Sequence, residues 1–215
     1  MGLMYMHSQG IIHGNLKGVR FLAQWSPSCA QLTRSKANIL INDDGRACLT
    51  GFNLLRMASD QSTISPMGVT GDTIRRLSPE RLHPEHFGFK ESHPTKESDC
   101  YALGMVIYEV LTGSVPFAQL NDTAVLMGVL NGERPEKPQG EEGAWFTPGL
   151  WEVLELCWKP KPGDRPNLDT VLQCLQEVAP PSRLPGDGGN PVPPLARRTL
   201  RNAREMLRAM VRPFL

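Results

Sequence analysis

Two short stretches decide the fold of this chain: His13-Gly14-Asn15-Leu16-Lys17 and, further along, Ala37-Asn38-Ile39-Leu40-Ile41. If residues 19–36 are set aside, the two stretches join into the run H-G-N-L-K-G-A-N-I-L-I. In that run a lysine follows Asn15 by two residues and an asparagine follows it by five. The joined run, rather than any one residue in it, sets the interpretation of the rest of the chain.

The joined run resembles the catalytic loop of protein kinases, H-R-D-L-x-x-x-N. In that family the Asp accepts the proton of the substrate hydroxyl, and the Asn holds a metal ion that bridges the nucleotide phosphates. The resemblance places Asn15 at the catalytic base, Lys17 at a position typical of Ser/Thr-type kinases, and Asn38 at the metal ligand. An amide cannot take up a proton at neutral pH, so a contribution of roughly 10²- to 10⁴-fold in rate is absent at Asn15.

A second motif lies at Thr50-Gly51-Phe52-Asn53-Leu54, where kinases have D-F-G. Gly51 stands at the Asp that is the family's main metal ligand, and glycine has no side chain. The resemblance implies ATP and Mg²⁺ as cofactors, with Lys17, Asn38 and Gly51 at the cofactor-binding positions and Asn38 at the metal. Because the carboxylates at Asn15 and Gly51 are missing together, we expect impaired chemistry, as in a pseudokinase.

Three later motifs continue the kinase order. They are Ser78-Pro79-Glu80, the run from Asp99 through Gly104 in an apolar segment, and Asp164-Arg165-Pro166. The resemblance implies that Glu80 and Arg165 form a buried ion pair, and that Asp99 accepts backbone N–H groups of the His13 loop.

The ends of the apolar segment and one departure from the pattern carry further expectations. Ser98 is a candidate N-cap for a buried helix that ends at Gly113. Arg76 replaces the tryptophan of the kinase pattern, and we expect this to weaken the packing of the peptide-binding loop.

The expected fold is mainly α (α+β): a kinase C-terminal lobe with a small β-hairpin near residues 38–49. The resemblance covers residues 3–177, and the first domain is assigned to residues 1–178. This sequence shows no counterpart of the Gly-rich loop, the strand lysine or the helix glutamate of an N-lobe. We therefore expect the N-lobe to be absent from this chain.

Residues 19–36 interrupt the loop without a kinase counterpart. One explanation is a surface loop. The other is a retained intron translated in frame, because the codons of Val19 and Lys36 permit the GT and AG intron boundaries. We favour the intron, and genomic codons that forbid these dinucleotides would exclude it.

The C-terminal region divides into two parts. Residues 179–194 are rich in Pro and Gly and predict a flexible linker. Residues 195–215 carry six Arg and one Glu, a charge of +5, against −4 for the rest of the chain. Their helical spacing of apolar residues predicts a basic amphipathic helix that meets an acidic protein or an anionic membrane, or a tail without a partner. The acidic remainder argues against nucleic-acid binding by the core.

Composition excludes several other classes. No apolar run approaches the ~20 residues that span a bilayer, and the N-terminus lacks a signal-peptide pattern. Five scattered cysteines without metal-ligand spacing predict buried thiols in a reducing compartment, so we expect a cytoplasmic protein.

Three functions stay open on the sequence alone. The first is a Ser/Thr-type protein kinase domain that acts on a protein substrate in signalling, impaired as written. The second is a pseudokinase scaffold that binds a protein partner. The third is a nonfunctional gene fragment, which would expose the surface that meets the missing lobe and dissolve poorly.

Overall fold

The structure is a computed structural model that describes residues 2–21, 37–41, 47–51, 56–57, 71–143 and 146–177. Helices dominate the described part, as the sequence predicted. The α-helices are α1 (Leu3–Ser8), α2 (Gly71–Ile74), α3 (Pro79–Leu82), α4 (Lys96–Thr112), α5 (Asp122–Leu130), α6 (Gly140–Gly143), α7 (Pro148–Cys157) and α8 (Leu168–Glu177). Short 3-10 turns occupy Pro84–Phe87 and Pro162–Asp164.

Helix α4 is the centre of the fold. Every residue from Ser98 to Ile107 is buried, which explains why the helix sequence is apolar nearly all round. Thr95 is the N-cap: its side chain accepts a hydrogen bond from the Ser98 backbone N–H, and the Thr95 N–H donates to Ser98 Oγ. The prediction of Ser98 as N-cap was therefore wrong, since Ser98 is the third residue of a capping box. Gly113 ends the helix in the left-handed region, as predicted.

Two further helices close the core against α4. Helix α7 begins after Thr147, whose hydroxyl accepts from the Leu150 N–H, and it packs on α4 and then on α8. Helix α8 begins after Asn167, whose side-chain oxygen accepts from the Thr170 N–H. Trp158 follows α7 and is fully buried.

The predicted hairpin is present, and it belongs to a sheet that has one more strand than expected. Strands β3 (Ile39–Ile41) and β4 (Ala47–Leu49) pair antiparallel. Strand β2 (Val19–Phe21), the beginning of the insertion, pairs parallel with β3 and makes a three-stranded sheet. A separate pair joins β1 (Ile11–Ile12) to β5 (Arg56–Met57). The insertion therefore contributes backbone to the fold at its first three residues.

Several expectations fall outside the described residues, namely the rest of the insertion, the linker and the basic tail. Among the cysteines that the structure describes, Cys100 and Cys157 are buried as predicted, Cys174 is half-buried and Cys48 is exposed. The prediction of uniformly buried thiols was wrong at Cys48, because this residue lies on the small sheet rather than in the helical core. Within the described ranges, no helix combines the length and the apolar character needed to cross a membrane.

Candidate active site

Asp99 anchors the loop that decides the fold. Its carboxylate accepts the backbone N–H of His13 at 2.9 Å and that of Gly14 at 2.8 Å. It also contacts His7 Nε2 at 2.9 Å. The carboxylate is 1% exposed, so two charge-assisted bonds in a dry environment fix the loop on the first turn of α4. The predicted role of Asp99 is confirmed.

His13 connects the loop to the end of β4. Its Nδ1 accepts the Asn15 backbone N–H at 3.3 Å, so Nε2 carries the proton of the neutral ring and donates to the Thr50 carbonyl at 2.9 Å. Burial lowers the pKa of His13 below its ordinary value, against the opposing effects of Asp99 and of the bond to Thr50. A neutral imidazole at this position holds the residues before Gly51 next to the loop.

Asn38 joins both parts of the interrupted loop. Its Nδ2 donates to the Asn15 carbonyl at 2.8 Å, and its backbone N–H donates to the Lys17 carbonyl at 2.8 Å. Its own carbonyl accepts from the Thr50 N–H at 2.9 Å. The structure therefore brings Asn15, Lys17 and Asn38 together despite the insertion between them.

Gly51 lies directly against the Asn38 side chain. Its φ of +74° is in the left-handed region, and a Cβ added there would lie 2.6 Å from Asn38 Nδ2 and overlap the carbon and oxygen of the amide. A side chain at position 51 cannot coexist with this placement of Asn38. The space next to Gly51 is filled by Asn38 rather than left open.

These residues do not fit a magnesium ion. Mg²⁺ prefers carboxylate oxygens in near-octahedral geometry, whereas the three atoms nearest to a Cβ added at Gly51 all belong to the Asn38 amide. Within the part of the chain that the structure describes, no group of three or more His, Cys, Asp or Glu side chains could hold a metal. The two metal-binding positions that the resemblance implies, Asn38 and Gly51, therefore supply one amide and no carboxylate.

Lys17 is buried on the other side of the loop, 7% exposed, with Nζ 3.5 Å from Thr73 Oγ1. Asn15 is 9% exposed. Thr73 lies in helix α2, so the loop and α2 face each other. Sequence reasoning singled out Lys17 but missed Thr73 as its neighbour.

A buried ion pair fixes the segment after Thr73. Arg165 Nη1 and Nη2 donate to the two carboxylate oxygens of Glu80, each at 2.7 Å. Ser78 Oγ also donates to Glu80 at 2.7 Å. The predicted pair between Glu80 and Arg165 is confirmed, in the bidentate geometry that suits guanidinium and carboxylate.

Arg76 does not loosen this segment as expected. Its side chain is 3% exposed, and Nε and Nη2 donate to Glu109 Oε2 on α4 at 3.0 and 2.6 Å. Next to it, Arg75 donates to the carbonyls of Pro116, Phe117 and Leu120. The expectation of weak packing was wrong, because a counter-ion on α4 accommodates the charge. The sequence held a signal for the Arg76–Glu109 pair: Arg76 stands at a position that is apolar in the kinase pattern, and the motif of α4 contains the acidic Glu109.

The chain combines a helical lobe built on a buried central helix, a loop held by Asp99 and a buried Glu80–Arg165 pair. This combination is that of a protein kinase fold. The chain belongs to the protein tyrosine and serine/threonine kinase family, whose family description matches residues 1–175. Proteins of this family generally use ATP and Mg²⁺ and act on protein substrates.

Its relatives include protein kinases of a plant, a starfish and an amoeba. The chain is 26% identical over 178 residues to the serine/threonine/tyrosine-protein kinase HT1 of Arabidopsis thaliana, covering 82% of this chain and 37% of that protein. It is 27% identical over 180 residues to the serine/threonine-protein kinase mos of Patiria pectinifera, covering 81% and 43%. A probable serine/threonine-protein kinase of Dictyostelium discoideum is 26% identical over 163 residues, covering 75% and 16%. The chain thus spans less than half the length of each of these relatives.

Proposed function

We propose that this chain is a protein kinase domain that does not transfer phosphate and acts by binding a protein partner. The observation that carries the proposal is the pair formed by Gly51 and Asn38, since the Asn38 amide occupies the space next to a position that has no carboxylate. Asn15 adds a second loss, because its amide stands where the family has the catalytic base. The roles of Asn15, Lys17, Asn38 and Gly51 as former base, phosphate, metal and metal-ligand positions belong to this proposal.

The intact scaffold supports retention of a binding role. Asp99, His13 and the Glu80–Arg165 pair hold the loop and the facing segment in a defined arrangement, although the carboxylates for chemistry are absent. The basic tail at residues 195–215 supplies a second contact, to an acidic protein or an anionic membrane, in a cytoplasmic setting. Binding and scaffolding need the fold but not the chemistry.

The hydrogen bonds that bring Asn15, Lys17 and Asn38 together also support the alternative, a Ser/Thr-type phosphotransferase within a longer protein. A phosphotransfer assay with Mg²⁺, ATP and a generic protein substrate separates the two. We expect no transfer by the purified chain above that of a Lys17→Ala variant. Transfer that is clear in the chain and lost in the variant would establish the alternative.

A further inference from the structure

The net negative charge of the chain outside its tail comes from one stretch. Residues 133–177 contain nine acidic and five basic residues, a net charge of −4. Residues 1–132 contain eleven residues of each sign, and residues 178–194 contain one of each, so both parts are neutral. The basic tail at residues 195–215 has a charge of +5. A neutral linker therefore joins an acidic part of the chain to a basic one.

The exposed carboxylates of the acidic stretch have no counter-ion. Six acidic side chains in it are exposed, namely Glu133, Glu136, Glu152, Glu155, Asp164 and Asp169. Within the part of the chain that the structure describes, none of these six forms an ion pair. Uncompensated surface charges attract a basic segment over a distance of about 8 to 10 Å at moderate salt. The acidic stretch thus favours a basic partner.

Helix α7 presents two of these carboxylates beside apolar side chains. Its buried residues pack on α4 and α8, whereas Glu152 and Glu155 are exposed and Trp151 and Leu156 are half-buried. Each glutamate lies one helical turn from one of the two apolar residues, Glu155 from Trp151 and Glu152 from Leu156. Trp151 Nε1 donates to Glu155 Oε1 at 2.7 Å, and Lys137 Nζ already lies 5.9 Å from the centroid of the Trp151 ring. We call Trp151, Glu152, Glu155 and Leu156 the α7 outer face.

The tail has the composition that complements this face. Its arginines recur every three or four residues, and its apolar residues do the same; they are Arg197, Arg201, Arg204, Arg208 and Arg212, and Leu200, Ala203, Leu207 and Met210. This spacing predicts a helix with a basic stripe and an apolar stripe. Guanidinium groups pair with carboxylates, and the apolar stripe covers half-buried side chains such as Trp151 and Leu156.

The linker is long enough for the tail to reach α7. Helix α8 has ten residues, so it is about 15 Å long, and it packs against α7. Seventeen residues, 178–194, separate Glu177 from the tail. A flexible chain of this length has a root-mean-square span of roughly 20 to 25 Å, which exceeds the length of α8. A tethered segment within such reach is present at an effective concentration in the millimolar range, so a weak contact suffices.

We propose that the basic tail docks on the α7 outer face of its own chain. The proposal rests on the contact with an acidic protein that the proposed function gives to the tail, and it identifies that acidic protein as the lobe itself. Charge complementarity and the reach of the linker select this occupant. A docked tail withholds its arginines from other acidic proteins and from anionic membranes, so these partners have to compete with the lobe.

The test is hydrogen exchange of the full chain at low salt, measured by mass spectrometry without nucleotide or metal. We expect the amides of residues 195–215 to exchange roughly fivefold more slowly in the parent than in the double variant Glu152→Gln/Glu155→Gln. Glutamine removes both charges and keeps an acceptor for Trp151. The matched control Glu85→Gln/Glu91→Gln removes two exposed charges elsewhere and should exchange like the parent. Peptides of α4 report in the same experiment whether each variant keeps its fold.

Two results with these variants would overturn the proposal. One is equal exchange of the tail in the parent and in the α7 double variant. The other is equal acceleration in both double variants, which would show attraction by net charge rather than docking on the α7 outer face.

Two further conditions separate the other occupants. Docking within one chain should give the same protection over a roughly tenfold range of protein concentration. Protection that grows with concentration would indicate a second copy, and protection that appears only with phosphatidylserine vesicles would indicate a membrane; either result would overturn the proposal. Because no nucleotide is present, such a failure leaves the proposed lack of phosphate transfer standing. Conversely, phosphate transfer that depends on Lys17 would overturn the proposed function whatever the exchange shows.

Discussion

At the scale of single residues, the site lacks a carboxylate at two positions, and a third side chain occupies the space beside one of them. Asn15 cannot accept a proton, and Gly51 cannot hold a metal. Asn38 keeps its bond to the Asn15 carbonyl and occupies the space beside Gly51. The loop is therefore held in shape by contacts of the Asn38 side chain and backbone.

The contact between Gly51 and Asn38 predicts a coupling that can be measured. Gly51→Ala places a Cβ in a left-handed conformation and against Asn38, and should destabilise the fold by about 1 to 3 kcal/mol. The same substitution in an Asn38→Ala background should cost at least about 0.5 kcal/mol less, since the overlapping amide is gone. Urea unfolding of the four proteins of this double-mutant cycle gives the coupling, and additive effects would show that Asn38 does not fill the space.

His13 predicts a dependence of stability on pH. Its folded-state pKa lies below the value of 6.5 expected for an unfolded chain, with burial as the main cause. Between these two values the unfolded state binds more protons, so the free energy of unfolding decreases as the pH falls below about 6.5 and is unaffected by this group above it.

Urea midpoints between about pH 5 and pH 7.5 measure this dependence. The decrease should be smaller in His13→Gln than in the parent chain. In His86→Gln, where the histidine is exposed, it should match the parent. An identical slope in His13→Gln would refute the assignment.

At the scale of secondary-structure elements, a backbone hydrogen bond joins Lys17 and Asn38 on either side of the insertion, and we call this joined pair the closed base. The Asn38 N–H bonds to the Lys17 carbonyl at 2.8 Å, although 20 residues separate them in the chain. If residues 19–36 were absent, Lys17, Gly18, Ala37 and Asn38 would be consecutive, and this bond would close a β-turn. Gly18 has a φ of +54°, which suits a central turn position. The insertion thus begins and ends inside a turn whose hydrogen bond is already present.

Deletion of residues 19–36 should therefore leave the fold intact. The loss of strand β2 removes its pairing with β3, whereas the shorter loop lowers the entropy cost of closure, so we expect a change of about 1 kcal/mol or less. Cooperative urea unfolding and hydrogen exchange at the Asn38 amide provide the two readouts. A deletion variant that loses cooperative unfolding, or protection of that amide, would contradict the closed base.

Some elements of the fold were predicted from the sequence and others were not. Helix α4, the hairpin of β3 and β4, the Asp99 anchor and the Glu80–Arg165 pair were predicted, because each depends on motifs with fixed spacing. The Arg76–Glu109 pair and the filling of space by Asn38 were not, because they arise from side chains that adapt to substituted neighbours. The pairing of β2 was also missed, since a three-residue parallel strand has no periodicity of its own.

At the scale of the whole molecule, ion pairs between distant segments hold the lobe together. Glu80 and Arg165 are 85 residues apart in sequence and both are buried, and Arg165 also donates to the carbonyls of Glu97, Lys159 and Pro160. One guanidinium therefore connects α3, the start of α4 and the approach to α8. This pair stabilises the architecture rather than any reaction.

Removal of one partner should be costly because it leaves an uncompensated buried charge. Glu80→Gln should destabilise the chain by about 3 to 5 kcal/mol in urea unfolding. The exposed substitution Glu152→Gln on α7 makes the same chemical change and should stay within about 0.5 kcal/mol of the parent. Equal stabilities of the two variants would show that the pair is not a major support of the lobe.

We expect this kinase fold to have no working metal site, and the most direct test is metal binding itself. Water-proton relaxation of Mn²⁺ with ATP, titrated with the purified chain, reports whether the protein holds the metal–nucleotide complex. We predict no enhancement beyond that of Mn²⁺ and ATP alone, in both the parent chain and an Asn38→Ala variant. A stoichiometric enhancement in the parent that disappears in Asn38→Ala would contradict the claim.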